Sequence, residues 1–317
     1  MESSGRPPVW KPLLAFATVY LVWGCAYLSV RIGVQEVPPF LLAAIRFLVA
    51  GLVLYGWSIA RGERSPSLRQ WRSIFLLGFL IFVVDFGLVF WAQQRVPSGI
   101  TAVMMAMIAI FIALLEIFIL RTQGLTVRLA IALLIGIGGV MVLVSRSLTL
   151  GGAPIDRAGA VALIFAAMGM SVASVLMTRL RLPESTIMSS GAQMLAGGVL
   201  LTLISALLGE FSHFHPGHLS TEVWFALFYM TVPASIIAFP AYVWLIHNES
   251  PTKAGTYAYV NPVVAVLAGY FLGGEALASR TIVGSLLILS SVVAITTMKS
   301  EFKKSNCAAP IECLERK

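Results

Sequence analysis

Three ionisable residues lie inside long apolar runs of the sequence, namely Arg46, Asp85 and Glu116. A charged group in hydrocarbon is costly, and such groups often mark the path of an ion or a ligand. Arg46 follows Pro38 by 8 residues and Asp85 precedes Trp91 by 6, so we expect both side chains at a similar depth. Two interpretations stay open. One is a structural ion pair between Arg46 and Asp85, and the other is an Asp85 that exchanges a proton or binds a cationic group.

Glu116 is the third candidate for a buried or coupling charge. It follows Ser98 by 18 residues and precedes Arg121 by five, which places it near the end of its apolar run. Long side chains near helix ends reach headgroups or water. A structural role at the membrane interface or in the protein interior therefore competes with a functional one.

Aromatic residues with helical spacing provide a second set of candidates. Trp23 and Tyr27 are four residues apart in the first apolar run, and Tyr257 and Asn261 have the same spacing in the ninth, so each pair shares a helix face. A cavity for an amphipathic solute needs aromatic walls with a few polar groups, whereas ordinary helix packing is the alternative. The predicted substrate-binding residues are Trp23, Tyr27, Tyr257, Tyr259 and Asn261, of which Tyr259 points to a different face.

Pro262 follows directly after Asn261 and predicts a helix break beside this cavity. Proline has no backbone N–H, so it leaves the carbonyl of Ala258 without its helical partner. Irregular backbone at membrane depth is tolerated only where it faces protein or water. We therefore expect Asn261 and Pro262 to face the interior of the molecule.

Metal and cofactor chemistry finds little support in the sequence. His213, His215 and His218 lie close together in the longest external loop, but the loop has no cysteine and no clear fourth ligand, so we predict no metal site. A nucleotide-binding Gly-x-x-x-x-Gly-Lys-Ser motif is absent. We predict no cofactor, and energy must then come from a gradient, unless the protein only facilitates movement.

The composition shows what kind of elements carry these residues. The 317 residues are 58% apolar and 11% charged, against about 25% charged in an ordinary soluble domain. So few charges cannot cover a soluble surface, and the sequence predicts an all-α membrane protein. The net charge of +8 lies in short clusters between apolar runs, which indicates membrane topology and not a nucleic-acid partner.

Cutting the sequence at charged or Pro/Gly-rich breaks leaves ten apolar runs, each near the roughly 20 residues that a spanning helix needs. They cover approximately residues 13–30, 39–60, 73–91, 98–120, 127–145, 158–178, 187–208, 223–246, 254–274 and 281–298. Placing the N-terminus inside leaves 16 Lys and Arg residues in inside segments and 5 in outside ones. Both termini, residues 1–12 and 299–317, are therefore predicted to be cytoplasmic.

A weak duplication divides the chain into two copies, residues 13–145 and residues 158–298. The aligned pairs include Trp71 with Trp224 and Trp91 with Trp244 at an offset of 153, and Pro97 with Pro251 at 154. Each copy has five predicted spans, so the second copy starts on the opposite side and is inverted. Many secondary transporters have this architecture, with a substrate site between the repeats. A fused structural repeat without transport stays the alternative.

Short motifs occur in a fixed order along both copies. They are Trp23-Gly24 with Tyr27, Pro38-Pro39 followed by Arg46-Phe47, Trp91-Ala92-Gln93-Gln94 leading to Pro97-Ser98-Gly99, and Asn261-Pro262 followed by Leu272-Gly273-Gly274-Glu275. In these motifs the chain resembles the EamA-type ten-helix exporters of the drug/metabolite transporter superfamily. The resemblance implies a bacterial-type inner-membrane exporter with a central cavity between its halves. The first copy departs from the family pattern, with Ile108-Ala109 in place of a proline and Leu120-Arg121 in place of Gly-Glu.

Together these observations predict a secondary-active exporter of small amphipathic metabolites, either amino acids or drug-like compounds, which works by alternating access between two inverted repeats. Its partners would be a small-molecule substrate and the lipid bilayer, with protons as a candidate coupling ion. A non-transporting structural or sensory membrane protein is the alternative. A membrane enzyme is disfavoured, because the sequence has no cluster of His, Asp or Glu at one membrane face. The oligomeric state is not indicated.

Overall fold

The computed structural model describes residue 8 and residues 10–121, 124–149, 156–273 and 279–297. Within these ranges the regular secondary structure is helical, and no strand is present. The predicted C-terminal tail with Cys307 and Cys313, the Gly274-Glu275 end of the last motif and most of the N-terminal segment lie outside the described residues.

Fourteen α-helices lie within the described residues. They are α1 (Trp10–Gly33), α2 (Pro39–Ala60), α3 (Leu68–Gly78), α4 (Leu88–Gln93), α5 (Ser98–Met105), α6 (Met107–Leu115), α7 (Val127–Thr149), α8 (Arg157–Met177), α9 (Thr186–Leu207), α10 (Thr221–Thr231), α11 (Ala238–Asn248), α12 (Pro251–Ala254), α13 (Tyr257–Gly273) and α14 (Ser279–Thr296). Three π-helical segments, Phe79–Gly87, Glu116–Leu120 and Val232–Ile237, continue α3, α6 and α10, and two 3-10 turns occupy Glu210–His213 and Pro216–His218.

The helices have the length and surface of membrane spans. Seven continuous helical stretches of the described chain are long and apolar enough to cross a bilayer, and Val127–Gly139 and Ile282–Thr296 are shorter apolar helices. Large apolar side chains, among them Leu52, Leu203 and Phe228, are exposed on the outside of the bundle. Lipid tails suit such a surface and water does not. The chain is an all-α membrane protein, and the count of ten spans stays a prediction.

The second helices of the two repeats, α2 and α9, pack against each other along their length. Their backbones approach most closely at glycines. An added Cβ at Gly51 would lie 2.8 Å from the amide nitrogen of Leu195, and one at Gly191 would lie 2.6 Å from that of Tyr55. Later residues of α2 thus contact earlier residues of α9, so the helices are antiparallel. Because they are corresponding helices, the two repeats are inverted relative to each other.

Two carboxylates join the repeats at the end of the molecule that holds residues 34–38 and 208–220, which we call the Glu36 face. Glu210 accepts hydrogen bonds from the backbone N–H groups of Leu41 (2.8 Å) and Phe40 (3.4 Å), at the start of α2. Glu36 accepts one from the N–H of Ser220 at 2.8 Å. Carboxylates suit helix N-termini because the first N–H groups have no helical partner. The bonds from Ser220 hold the pKa of Glu36 below its usual value.

The opposite end holds residues 61–67 and 249–256, and we call it the Glu63 face. Glu63 precedes Glu210 by 147 residues and so occupies the corresponding place in the first repeat. Its Oε2 atom is buried and has no hydrogen-bond partner. The N-terminus of α9 is capped by Ser185, whose hydroxyl accepts from the N–H of Met188. The two repeats are therefore joined differently at their two ends.

Candidate functional site

A small cavity of about 50 Å³ has walls from both repeats. Six of the predicted site residues line it, namely Trp23, Tyr27, Arg46, Asp85, Tyr257 and Asn261. The remaining wall is mostly apolar and consists of Ala26, Val30, Phe86, Val89, Phe90, Met105, Ile108 and Met170. Its mixture of apolar walls with a few polar groups is typical of small-molecule sites, whereas its volume is below the roughly 300 Å³ at which such sites begin. A metabolite would therefore fit only after the walls move apart.

Asp85 enters this wall from the π-helical segment Phe79–Gly87. A π-helical turn holds an extra residue and changes the direction in which the following side chains point, which is why such segments occur often at functional sites. Asp85 is 4% exposed, and its Oδ1 atom is buried without a hydrogen-bond partner. A buried acceptor of this kind is costly unless a donor reaches it. Asp85 is therefore a candidate to bind a ligand donor or a proton.

Arg46 is held on the cavity wall by a hydroxyl and three aromatic rings. Its Nε donates a hydrogen bond of 2.8 Å to Oγ of Ser235. Its guanidinium carbon lies 4.6, 5.2 and 5.8 Å from the ring centres of Phe47, Phe86 and Phe90. Such cation–π contacts favour the charged form of arginine in an apolar wall. Arg46 thus presents a fixed positive charge.

The structure does not show the direct Arg46–Asp85 ion pair, which was one of the two open interpretations. Both residues lie in the described ranges, and there no ion pair of 4.0 Å or less joins them. The two charges do interact electrostatically across the cavity. The contacts that hold the guanidinium are those with Ser235 and the phenylalanine rings. The cavity wall therefore carries two opposite charges that do not neutralise each other in a direct contact.

Trp23 belongs to an aromatic cluster at one end of the cavity. Its Nε1 donates to the backbone carbonyl of Ala234 at 3.0 Å, in the π-helical segment Val232–Ile237. Its ring centre lies 4.9 Å from that of Tyr257 and 5.2 Å from that of Tyr242. The hydroxyl of Tyr242 lies 2.5 Å from that of Ser174. The polar atoms of Trp23 and Tyr242 are thus satisfied by protein groups, and their rings remain as a firm apolar surface.

Asn261 brings a second unpaired acceptor to the wall, since its Oδ1 atom is buried without a hydrogen-bond partner. The predicted helix break at Pro262 is displaced. Helix α13 runs through Pro262 without ending there. The ninth span is interrupted instead at Gly255 and Thr256, between α12 and α13. Asn261 and Asp85 together make the cavity better suited to a group that donates hydrogen bonds than to one that accepts them.

Two predicted residues lie away from the cavity. Tyr259 is completely buried among residues of α7, α13 and α14, and its hydroxyl is 3.5 Å from the carbonyl of Leu133, so it does not line this cavity. Glu116 lies toward the Glu63 face and accepts hydrogen bonds from the N–H (2.9 Å) and the hydroxyl (2.5 Å) of Thr252. Glu116 thereby joins the fourth span of the first repeat to α12 of the second.

Three partners of the predicted residues were not foreseen from the sequence, namely Ser235, Tyr242 and Thr252. Ser235 and Tyr242 are polar side chains seven residues apart within the eighth apolar run, which is a signal that sequence reading could have used. The role of Thr252 depends on a tertiary contact. In the part of the chain with described side chains, no three His, Cys, Asp or Glu residues are grouped to hold a metal ion, and the side chain of His218 lies outside that part.

Comparison with known proteins gives a family match over both repeats. The model of the EamA-like transporter family matches residues 10–145 and residues 157–297. The match begins at the start of α1 and covers nearly all of the described chain. The gap between its two parts, residues 146–156, begins within the last turn of α7 and ends directly before α8.

Individual relatives match over most of their length. An uncharacterized inner membrane transporter of Escherichia coli K12, YedA, is 36% identical over 299 residues, which are 94% of each chain. Protein PecM of Dickeya dadantii is 27% identical over 92% of this chain and 94% of its own. A solved crystal structure superimposes with a TM-score of 0.73 and 24% identity, over 92% of this chain and 97% of the other. The structural match establishes the fold.

Proposed function

The chain belongs to the EamA-like transporter family, and from this membership we propose that it is a secondary-active exporter of small amphipathic metabolites, either amino acids or drug-like compounds. The observation that supports this proposal is the cavity whose walls come from both repeats. A ligand bound there touches both halves, so movement of one half against the other changes which side of the membrane it can reach.

The wall chemistry suits an amphipathic ligand. Asp85 and Asn261 offer acceptors to a cationic amine, because each has a buried oxygen without a partner. Arg46 offers a positive charge to an anionic group. The aromatic rings of Trp23, Phe86 and Tyr257 cover the apolar part. We propose that Asp85 also exchanges a proton, which would couple transport to a gradient.

We propose an inner-membrane location with both termini in the cytoplasm. The Glu63 face then lies inside, since its loops carry Arg61 and Arg64 and obey the positive-inside rule. The lining residues of α1 and α2 lie in the halves of these helices nearer the Glu36 face. In the proposed cycle, opening toward the cytoplasm requires the Trp23–Tyr242–Tyr257 cluster and the Glu116–Thr252 contact to separate.

Reconstitution into proteoliposomes tests this proposal. Radiolabelled phenylalanine, phenethylamine and ethidium represent a zwitterionic, a small cationic and a drug-like probe, and each is supplied with and without a pH gradient. We expect saturable movement of at least one probe, accelerated by the gradient in the wild type and not in Asp85→Asn. Monodisperse protein that moves none of the three probes under either condition would favour the non-transporting alternative.

A further inference from the structure

We propose that Ser235 is a positioning residue that keeps Arg46 away from Asp85. The Asp85 carboxyl group is thereby left free to take a proton or a ligand donor, and the Arg46 guanidinium is left free to bind an anionic group. Arg46 and Asp85 belong to the first repeat, whereas Ser235 belongs to the second. The contact that separates the charges therefore crosses the interface between the repeats. A direct Arg46–Asp85 pair would lie within a single repeat.

The geometry of Ser235 suits it to hold a cation. Its hydroxyl donates to the carbonyl of Met230, five residues earlier, at 2.9 Å. This bond uses the hydroxyl proton and leaves the lone pairs of Oγ for Nε of Arg46 at 2.8 Å. Ser235 and Arg46 are 0% and 1% exposed, so no water replaces the bond readily. The π-helical segment Val232–Ile237 thus fixes the direction of the oxygen that Arg46 binds.

Without Ser235, the two charges have a reason to move together. Opposite charges in a poorly solvated cavity attract strongly, and Oδ1 of Asp85 lacks any hydrogen-bond partner. The three phenylalanine rings attract the guanidinium but do not accept a directed hydrogen bond in the plane of its N–H groups. Loss of the Ser235 hydroxyl should therefore allow Arg46 to turn toward Asp85.

A consequence for transport rests on the proposed function. When the repeats move relative to each other, Ser235 moves with the second repeat and releases Arg46. The freed guanidinium then pairs with Asp85 and displaces a cationic ligand group from its carboxylate. The same two residues would thus bind the ligand in one state and expel it in the other.

Labelling with dicyclohexylcarbodiimide tests the positioning role without any transported substrate. The reagent adds a protonated carboxyl group across one of its C=N bonds and rearranges to a stable N-acylurea. A carboxylate paired with arginine reacts slowly because it has no proton to give. The label is assigned to Asp85 by peptide mass mapping of the full-length protein in proteoliposomes, with Asp85→Asn as the blank.

We expect wild-type Asp85 to react, and Ser235→Ala and Ser235→Cys to slow its labelling by about tenfold, as expected for loss of a hydrogen bond to a charged group. Ser235→Thr keeps the hydroxyl and should restore the wild-type rate. Adding Arg46→Gln to Ser235→Ala should also restore labelling, because the pairing partner is gone. Ser190→Ala is the matched control, since Ser190 is equally buried and its hydroxyl also donates to a carbonyl of its own helix, whereas Nε of Arg46 donates to Ser235.

Unchanged Asp85 labelling in both Ser235→Ala and Ser235→Cys, in protein as monodisperse as the wild type, would overturn the proposal. An unreactive wild-type Asp85 that becomes reactive in Arg46→Gln would also overturn it, since the pair would then exist already. If the expected labelling pattern appears but none of the three transport probes moves, the positioning role stands and the proposed function fails.

Discussion

The two repeats use one backbone irregularity for different purposes. The π-helical segments Phe79–Gly87 and Val232–Ile237 begin 153 residues apart, at corresponding places of the two copies. The first brings Asp85 to the cavity wall. The second contributes no charge, and its Ser235 hydroxyl and Ala234 carbonyl hold Arg46 and Trp23. One segment brings a charged side chain to the cavity, and the other supports residues that line it.

The carboxylates at the two ends differ in the same way. Glu210 is bonded to the start of α2, whereas the corresponding Glu63 has a buried oxygen without a partner. The difference indicates that the two inverted copies share a backbone path, whereas side chains at corresponding positions have different roles. Variants at corresponding positions should therefore have unequal effects, and these are ordered below from the largest to the smallest.

The largest effect is expected at Asp85. Asp85→Asn removes the charge that faces the cavity and should lower concentrative transport by about two orders of magnitude, as for loss of one partner in a buried charged contact. Initial rates in proteoliposomes with a pH gradient measure this change. Glu184→Gln, at an exposed carboxylate, is the control and should transport normally. Equal losses of transport in both variants would contradict the claim that transport depends specifically on Asp85 at the cavity wall.

A comparison of Trp23→Ala with Tyr259→Ala should distinguish a residue that contacts the ligand from one that only packs in the protein interior. Trp23→Ala removes cavity wall and should raise the apparent KM about tenfold, the order of a lost aromatic contact. Tyr259→Ala leaves a void near α7 and should cost roughly 3–5 kcal/mol of stability, with unchanged transport per folded molecule. Abundance by immunoblot and uptake per folded molecule distinguish the two. A changed KM in Tyr259→Ala would show that this residue does affect ligand binding.

Glu210→Gln and Glu63→Gln compare the two ends directly. Glu210→Gln removes the charge from a formed helix cap and should destabilise the protein by about 1 kcal/mol. Glu63→Gln should have a smaller effect or none, since no formed cap is lost. Thermal unfolding in the same nanodiscs gives both values. A larger decrease in melting temperature for Glu63→Gln than for Glu210→Gln would show that Glu63 is the more stabilising of the two carboxylates.

The smallest effect concerns the pH dependence of Glu36. Because Ser220 lowers the pKa of Glu36 below 4.5 in the folded protein, its contact stabilises the fold above the unfolded pKa. This contribution is lost as the pH falls through the lowered folded pKa. Melting temperatures between pH 7 and pH 3 should therefore fall slightly less in Glu36→Gln than in the wild type. Because Glu36 is fully exposed, identical pH profiles would show that solvent cancels the contact.

Much of the fold follows from the sequence because bilayer spans are continuous apolar runs. The site was partly predictable for the same kind of reason. Depth along a helix can be counted, so Arg46 and Asp85 were expected together, and helical spacing grouped Trp23 with Tyr27. All four residues line the cavity.

The remainder depended on contacts between distant parts of the chain. Depth does not give the direction of a side chain around its helix, and Arg46 is hydrogen-bonded to Ser235, which is 189 residues away. The burial of Tyr259 could be predicted only from the position of α7, and the spacing of residues within the ninth span does not give that position. The π-helical segments leave no mark in composition, because an extra residue in a turn changes the direction of later side chains and not their hydropathy.

The close contact between Gly51 and Gly191 also bears on how the protein is made. These glycines are 140 residues apart, and at 5–20 residues per second a ribosome needs roughly 7 to 28 s to synthesise the chain between them. During this interval α2 stands in the bilayer with its glycine surface uncovered. The first repeat is therefore an unfinished insertion intermediate until α9 arrives. Messages truncated between the repeats should yield products that membrane quality-control proteases remove.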